Sequence, residues 1–462
     1  MQVMSRIAPV RQDKQKMPPH FLPFVDQAMY LAHAYGGQQA VIQLLWLYRR
    51  PVDHSALTKF RDNLANGRLA RLIQPALLPF GRHTWVSAPL PSSALELTAE
   101  PLAPDALQAW ADAQVELPMD PVHGPAWTFT AQAFRDGSTA VSLVVSHCVA
   151  DGMATALGVR EAARGEQKPL NYSPRPTRRS PSALVSELSR TAQDARATLR
   201  ALARLARTMR QPRNTPRLPV APPTAAAADD RTVALPWASV RIPIAEWDAK
   251  ARTLGTNRLT LLTAITAAFA KGLGRISNGD ATLLIPVNQR EGQSDVGGNC
   301  VSIATLKVPV GEPDGRLHSL QRRLQSTLLR TRHEPDHMAA LLPLVPFVPK
   351  RAFSAAGHLA LGALAELPVT CSFVGEWSKD VLKIDGEEAD RFCFRGTDRQ
   401  VSARAIEARQ GVASIPACVI SEFLILNFVA YQPRRVTEHR EIHALAEGIL
   451  ASYGLTGEFF GE

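Results

Sequence analysis

The stretch VVSHCVADGMA, Val144 to Ala154, decides how the chain is read. β-forming residues lead into one histidine, His147, and the pair Asp151-Gly152 follows. With the two-residue period of a strand, Val141, Leu143, Val145 and His147 share a face, so the imidazole ends an apolar stripe beside a turn. Gly152 allows backbone angles that other residues resist, and Met153 to Leu157 can start a helix directly behind it. Asp151 is too near in sequence to act as an independent catalyst. It either folds back to fix the turn or pairs with a distant arginine. An imidazole with an unperturbed pKa of about 6.5 suits proton transfer near neutrality. A core histidine that is merely hydrogen-bonded is the plain alternative.

Outward from this stretch, AWTFTAQAF and STAVSLVVSH read as two strands of a hairpin turning at Arg135-Asp136-Gly137. Upstream lie a helix in PFVDQAMYLAHAYGG ending at Gly36-Gly37, a strand in VIQLLWLYR and a helix over His54 to Ala65. Downstream, LTLLTAITAAFAKGLGRI reads as a helix, with strands in ATLLIPV and CVSIATLKVPV and a helix in LHSLQRRLQSTLLRTR. Strands in PVTCSFVGE and EFLILNFVAY and a helix in EHREIHALAEGILASYG follow. Between the two α/β halves runs a Pro/Arg-rich stretch (Asn171 to Pro181), a helical one (Ser182 to Met209) and a Pro/Ala-rich one (Pro212 to Asp230). Leu184, Leu188, Leu199, Leu202 and Leu205 are near helical spacing there, beside a stripe of Arg196, Arg200, Arg204 and Arg207. The divisions are residues 1–172, a basic helical linker over 173–231, and 232–462.

With 462 residues, 45% of them hydrophobic and 20% charged, the chain has material for two or three soluble domains. Its net charge of +10 is local: between Arg175 and Arg217 eleven arginines face two carboxylates. Nucleic-acid binding by the whole molecule is therefore excluded, and the basic helix has no interleaved aromatics to stack bases. Five scattered cysteines without a C-x-x-C pair point to a reducing cytoplasm, with neither a disulfide framework nor a zinc site. The first residues lack the apolar core of a secretory signal. Met338 to Leu367 is apolar but broken by prolines and charges, which suits a buried helix pair rather than a membrane span.

VVSHCVADGMA resembles the H-H-x-x-x-D-G signature of the coenzyme-A-dependent acyltransferase superfamily, and most closely its wax ester synthase/diacylglycerol acyltransferase and polyketide-associated groups. LPFVDQAMYLA resembles their N-terminal PLSPLD helix, and LLIPVNQREGQSDVGGNCVSIATLKVPV their P-V-x-x-R … G-N segment. TCSFVGEW resembles the S-N-x-P/G strand, and NFVAY stands where those proteins have S-Y-x-G. The resemblance implies a two-domain α/β fold like that of chloramphenicol acetyltransferase, with mixed sheets flanked by helices and the active-site channel between domains. It makes His147 the general base, Asp151 a structural partner of an arginine (Arg290 is the candidate) and Gly152 the turn glycine. The first signature histidine is Ser146 here, and the strand asparagine is Phe373, so Ser372 and Asn299 are left as candidates to hold the intermediate's oxygen.

The activity implied is transfer of an acyl group from acyl-CoA or an acyl carrier to a hydroxyl, a lipid alcohol above all. No cofactor besides the thioester substrate is needed. Amide formation by a condensation-type domain and a non-catalytic lipid- or carrier-binding relative are the alternatives. The arginine stripe is either a solvated linker face or a contact with anionic lipid or an acidic carrier protein. HEPDH, His333 to His337, spells H-E-x-x-H, but Pro335 disrupts the helix a zinc protease needs. No G-x-S-x-G elbow for a serine nucleophile occurs.

Overall fold

β-Branched and aromatic residues in alternation give the strands, and short polar residues start several of the helices. The computed structural model describes residues 21–35, 39–88, 95–175, 181–210, 231–310, 317–333, 339–349 and 367–461. The first half runs α1 (Phe24–Tyr35), β1 (Gln39–Tyr48), α2 (His54–Ala65), β2 (Arg71–Gln74), β3 (Thr84–Ser87), β4 (Leu95–Leu102), α3 (Leu107–Val115), β5 (Trp127–Phe134), β6 (Thr139–Ser146) and α4 (Gly152–Ala163). Then come α5 (Pro181–Arg210), β7 (Trp237–Pro243), α6 (Ile244–Thr253), α7 (Arg258–Gly272), β8 (Asp280–Asn288), β9 (Val301–Pro309) and α8 (Leu317–His333). β10 (Val369–Trp377), β11 (Arg391–Arg399), β12 (Val412–Ile420), β13 (Phe423–Tyr431), a helix at His439–Ser452 and β14 (Glu458–Phe459) end the chain.

Two mixed sheets organise these elements, giving the two-domain α/β architecture. One has the order β11-β1-β6-β5-β4, the other β14-β7-β13-β12-β10-β8-β9. The β5–β6 hairpin is antiparallel, with Ala133 opposite Thr139 next to the Asp-Gly turn. Every residue of β6 is buried. Val141, Leu143 and Val145 enter the first core with Leu57, Phe60 and Leu64 of α2. Val144 faces the other way, toward Val115 and Met119.

The first sheet takes its edge strand from far along the chain. β11 pairs with β1 from Gln39↔Arg399 to Leu47↔Arg391, so part of the 232–462 segment completes the sheet of the 1–172 segment. Trp46 ties this crossing down by donating to Val381 O at 2.7 Å. β7, α6, β11 and β12 were not legible as elements. In β11 (RFCFRGTDR) the charged residues break the apolar alternation of a strand, yet Arg395 is 1% exposed and donates to Gln43 Oε1 (2.7 Å) and Asp112 Oδ1 (2.8 Å). β12 contains Pro416, which lacks a ladder donor and argues against a central strand. The structure nevertheless sets it between β13 and β10.

The linker helix also differs from the expected picture. α5 lies on the first half, where Glu187 accepts from Leu77 N and Leu78 N and Asp194 pairs with Arg82 at 3.1 Å. Leu184, Leu188, Leu199 and Leu202 are exposed and do not form its packing face. Of the apolar region starting at Met338, Ala339–Phe347 is a 3₁₀ helix, because Pro343 and Pro346 cannot supply α-helical donors. Residues 350–366, the Pro/Ala-rich stretch, Gly36-Gly37 and the HEPDH positions after His333 lie outside the described residues. No helix among the described residues is long and apolar enough to cross a membrane.

Candidate active site

Three segments meet at the end of β6: the His147–Asp151 turn, the first turn of α1, and the loop joining β8 to β9. His147 is the first residue beyond the strand, and its N–H still donates to Ala40 O at 3.0 Å. The ring is half-buried, and its Nδ1 is buried with no hydrogen-bond partner among the described residues. Its carbonyl accepts from Asn299 Nδ2 at 2.9 Å. Ser146 faces away, and its Oγ accepts from Cys148 N at 3.4 Å inside the turn.

Asp151 does both things open to it. Its Oδ1 caps α4 by accepting from Ala154 N at 2.7 Å, satisfying one of the orphan donors of the helix start. The same oxygen accepts from Arg290 Nη2 at 2.8 Å, and Oδ2 accepts from Cys300 N at 2.9 Å. Both side chains of this ion pair are nearly inaccessible, at 2% and 5%. A carboxylate so buried needs such partners, because desolvation alone would disfavour its charge.

Gly152 is required for space, not for backbone angles: it opens α4 and is absent from the positive-φ residues. A Cβ there would lie 3.0 Å from Phe394 Cζ and 3.3 Å from Val374 Cγ1. β10 and β11 thus press directly on the turn. Gly298 has a similar constraint, since its Cβ would lie 3.1 Å from both Asp26 Oδ1 and Val149 O.

Asp26 was not legible as a site residue. It is fully buried, and its Oδ1 accepts from Asn299 N (2.9 Å) and Asn299 Nδ2 (2.7 Å), while Oδ2 has no partner among the described residues. Burial pushes its carboxyl up to about 7, against the opposing effects of the Asn299 hydrogen bond and the Arg71 charge. Asn299, a candidate substrate contact by sequence, is engaged here by Asp26 and the His147 carbonyl. Its geometry is that of a residue positioning the histidine. Ser372, the other candidate, is half-buried on β10 opposite Pro416, and no hydrogen bond among the described residues joins it to His147.

Arg68 and Arg71 were also missed. With Arg290 they grip successive carbonyls of the loop: Arg68 donates to Gln293 O and to Asp295 O (2.6 Å), and Arg71 to Val296 O (2.8 Å). Arg290 donates to Gly297 O and Gly298 O, both at 3.0 Å. Arg68 and Arg71 are 2% and 0% exposed; Glu161 balances Arg68 at 2.8 Å, and Arg71 lies over the Trp85 ring. Their sequence signal is weak, because an arginine beside a strand start reads as surface. A cleft of about 730 Å³ opens where Gln39 and Arg399 pair, lined also by Tyr30, His33 and Arg175; His147 does not line it.

No family model and no curated protein sequence matches the chain. Solved structures do. The wax ester synthase/diacylglycerol acyltransferase from Marinobacter aquaeolei VT8 is 16% identical with a TM-score of 0.55, over 94% of this chain and 98% of that one. The polyketide synthase associated protein 5 from Mycobacterium tuberculosis is 15% identical at 0.54, with the same coverage. The first condensation domain of the calcium-dependent antibiotic synthetase, bound to a substrate analogue, is 16% identical at 0.56, over 94% and 96%. This chain therefore has the fold shared by the coenzyme-A-dependent acyltransferases and the condensation domains, along nearly its whole length.

Proposed function

We propose that this chain moves an acyl group from a thioester, acyl-CoA or a loaded carrier protein, to the hydroxyl of a lipid alcohol, with His147 as general base. The observation that carries the reading is the housing of that one imidazole. Asn299 holds its carbonyl, the Asp151–Arg290 pair fixes the turn behind it, and β10 abuts the turn from the other sheet. Such fixing suits a group that must meet two substrates in one geometry.

Because Nδ1 is buried, Nε2 is the nitrogen that reaches a substrate. It takes the hydroxyl proton as the oxygen attacks the thioester carbonyl carbon. The tetrahedral intermediate collapses by breaking its C–S bond, and the imidazolium returns the proton to the departing thiolate. No acyl-enzyme forms. Proton transfer of this kind contributes about 10²–10⁴-fold. Ser372 on β10 is the proposed contact for the intermediate's oxygen, and no cofactor beyond the thioester is required. Five free cysteines fit a reducing cytoplasm as the place of action.

The test is thiol release from acyl-CoAs of short, medium and long chain, with and without alcohols and amines, for wild type and His147→Ala. Alcohol-dependent release that falls by roughly 10²-fold or more in the variant supports the reading. Amine-dependent release instead assigns amide formation. Release by neither protein, from CoA or from loaded carrier, leaves a binding protein and overturns catalysis.

A further inference from the structure

α5 is amphipathic in the reverse of the usual sense. Its inner face carries Glu187, Thr191, Asp194, Thr198 and Ala201, with both carboxylates held by groups of the first half. The exposed face adjoining it carries Leu184, Val185, Leu188, Leu199 and Leu202, between 39% and 65% exposed. At about 100° per residue these five, with the alanines among them, fill one arc of roughly 100° along the helix. Arg196, Arg200 and Arg207, all exposed, flank that arc on its far side, opposite the inner face. Nine large apolar side chains are exposed among the described residues, and five are on α5. Two more, Phe80 and Phe347, stack at 6.0 Å next to it: Phe347 ends the 3₁₀ helix that packs on α5, and Phe80 precedes Gly81, which abuts Glu187. Five of the nine thus lie along one helix, more than the scattered singles of an ordinary surface.

We propose that α5 docks the protein on a bilayer bearing anionic headgroups, with the leucines at the acyl boundary and the arginine flank at headgroup level. Three features select this occupant. The carboxylates of α5 face inward, Asp194 paired with Arg82 and Arg190 and Glu187 accepting backbone N–H groups, so the outer flank is purely cationic. The exposed stripe runs from Leu184 to Arg207 along a 30-residue helix, about 35 Å, which a flat surface can meet over its length. A second copy would set arginine flank against arginine flank. This inference stands apart from the acyl-transfer reading, since it needs no activity.

The experiment is co-sedimentation of the full chain with vesicles of phosphatidylcholine alone and with added phosphatidylglycerol. Wild type is expected to pellet with the anionic vesicles and to be released by salt. The triple variant Arg196→Gln/Arg200→Gln/Arg207→Gln is expected to bind on the order of 100-fold more weakly, at about one kcal/mol per arginine. Leu199→Ser/Leu202→Ser should also lose binding; both variants alter exposed positions, and circular dichroism checks that each stays folded. Failure of folded wild type to pellet with anionic vesicles overturns the proposal. So does binding that both variants retain, or a wild-type dimer in sedimentation that the leucine variant dissolves.

Discussion

The arginines around loop 293–298 and those along α5 carry the same guanidinium in opposite settings. Arg68, Arg71 and Arg290 are enclosed, and their planar forks donate to backbone carbonyls of a loop that has no strand or helix to satisfy it. Arg196, Arg200 and Arg207 stand in solvent on a helix whose own carboxylates face the protein. The enclosed set builds the histidine's surroundings; the exposed set sets the charge of a surface. Net charge along the sequence detected only the second, because the first are scattered along the chain and two of them, Arg68 and Arg290, are paired with Glu161 and Asp151. Arginine suits the enclosed role because five donors in a fixed plane reach several carbonyls at once.

The sharpest way to break this comparison is Arg290→Met. It leaves Asp151 buried without its partner and should cost about 3–5 kcal/mol in urea unfolding. A cost below 1 kcal/mol would place the pair among exposed ones.

Asp26→Asn probes the same enclosure through pH. With its carboxyl raised from 3.8 to about 7, the native chain holds a proton between those values that the unfolded chain has released. That contribution to stability is full below about pH 4 and is lost as pH rises through 7. The variant cannot ionise there and keeps Oδ1 for Asn299, so it should gain on wild type from pH 4 to 8, by less than roughly 4 kcal/mol. Parallel stability profiles for the two proteins would contradict a buried, titrating Asp26.

The two faces of α5 supply the smaller effects. Glu187→Gln weakens the acceptor of two backbone donors at the inner face and should cost roughly 1.5–3 kcal/mol in thermal or urea unfolding. Arg200→Gln on the outer face should stay within about 0.5 kcal/mol by the same measurement. Equal costs would mean that the helix does not face as described.

How much of this was legible depended on whether a signal was local. The β5–β6 hairpin, α2, α4 and α7 follow from strand alternation, an Asp-Gly turn and helical spacing, all readable within a few residues; the structure adds the side-chain caps of Asp53, Asp151 and Asn257. The run from His147 to Gly152 was readable for the same reason, and Arg290 came from a second motif. β11 was hidden because its charges are neutralised by partners hundreds of positions away, such as Gln43 and Asp112. Asp26 was hidden because burial is a property of neighbours, and PFVDQA gives no hint that Gly298 and Asn299 will close over it.

The sequence by itself determined the α/β class with its locally signalled elements, the single basic segment and the histidine before an Asp-Gly turn. These depend on residue type and spacing alone. Only the tertiary structure decided that Asn299 bonds to the histidine's carbonyl, that β11 closes the first sheet, and that the leucines of α5 face outward. Amphipathic spacing fixes which residues share a helix face. Which face turns inward is set by what waits there, in this case Arg82 and the free N–H groups of Leu77 and Leu78.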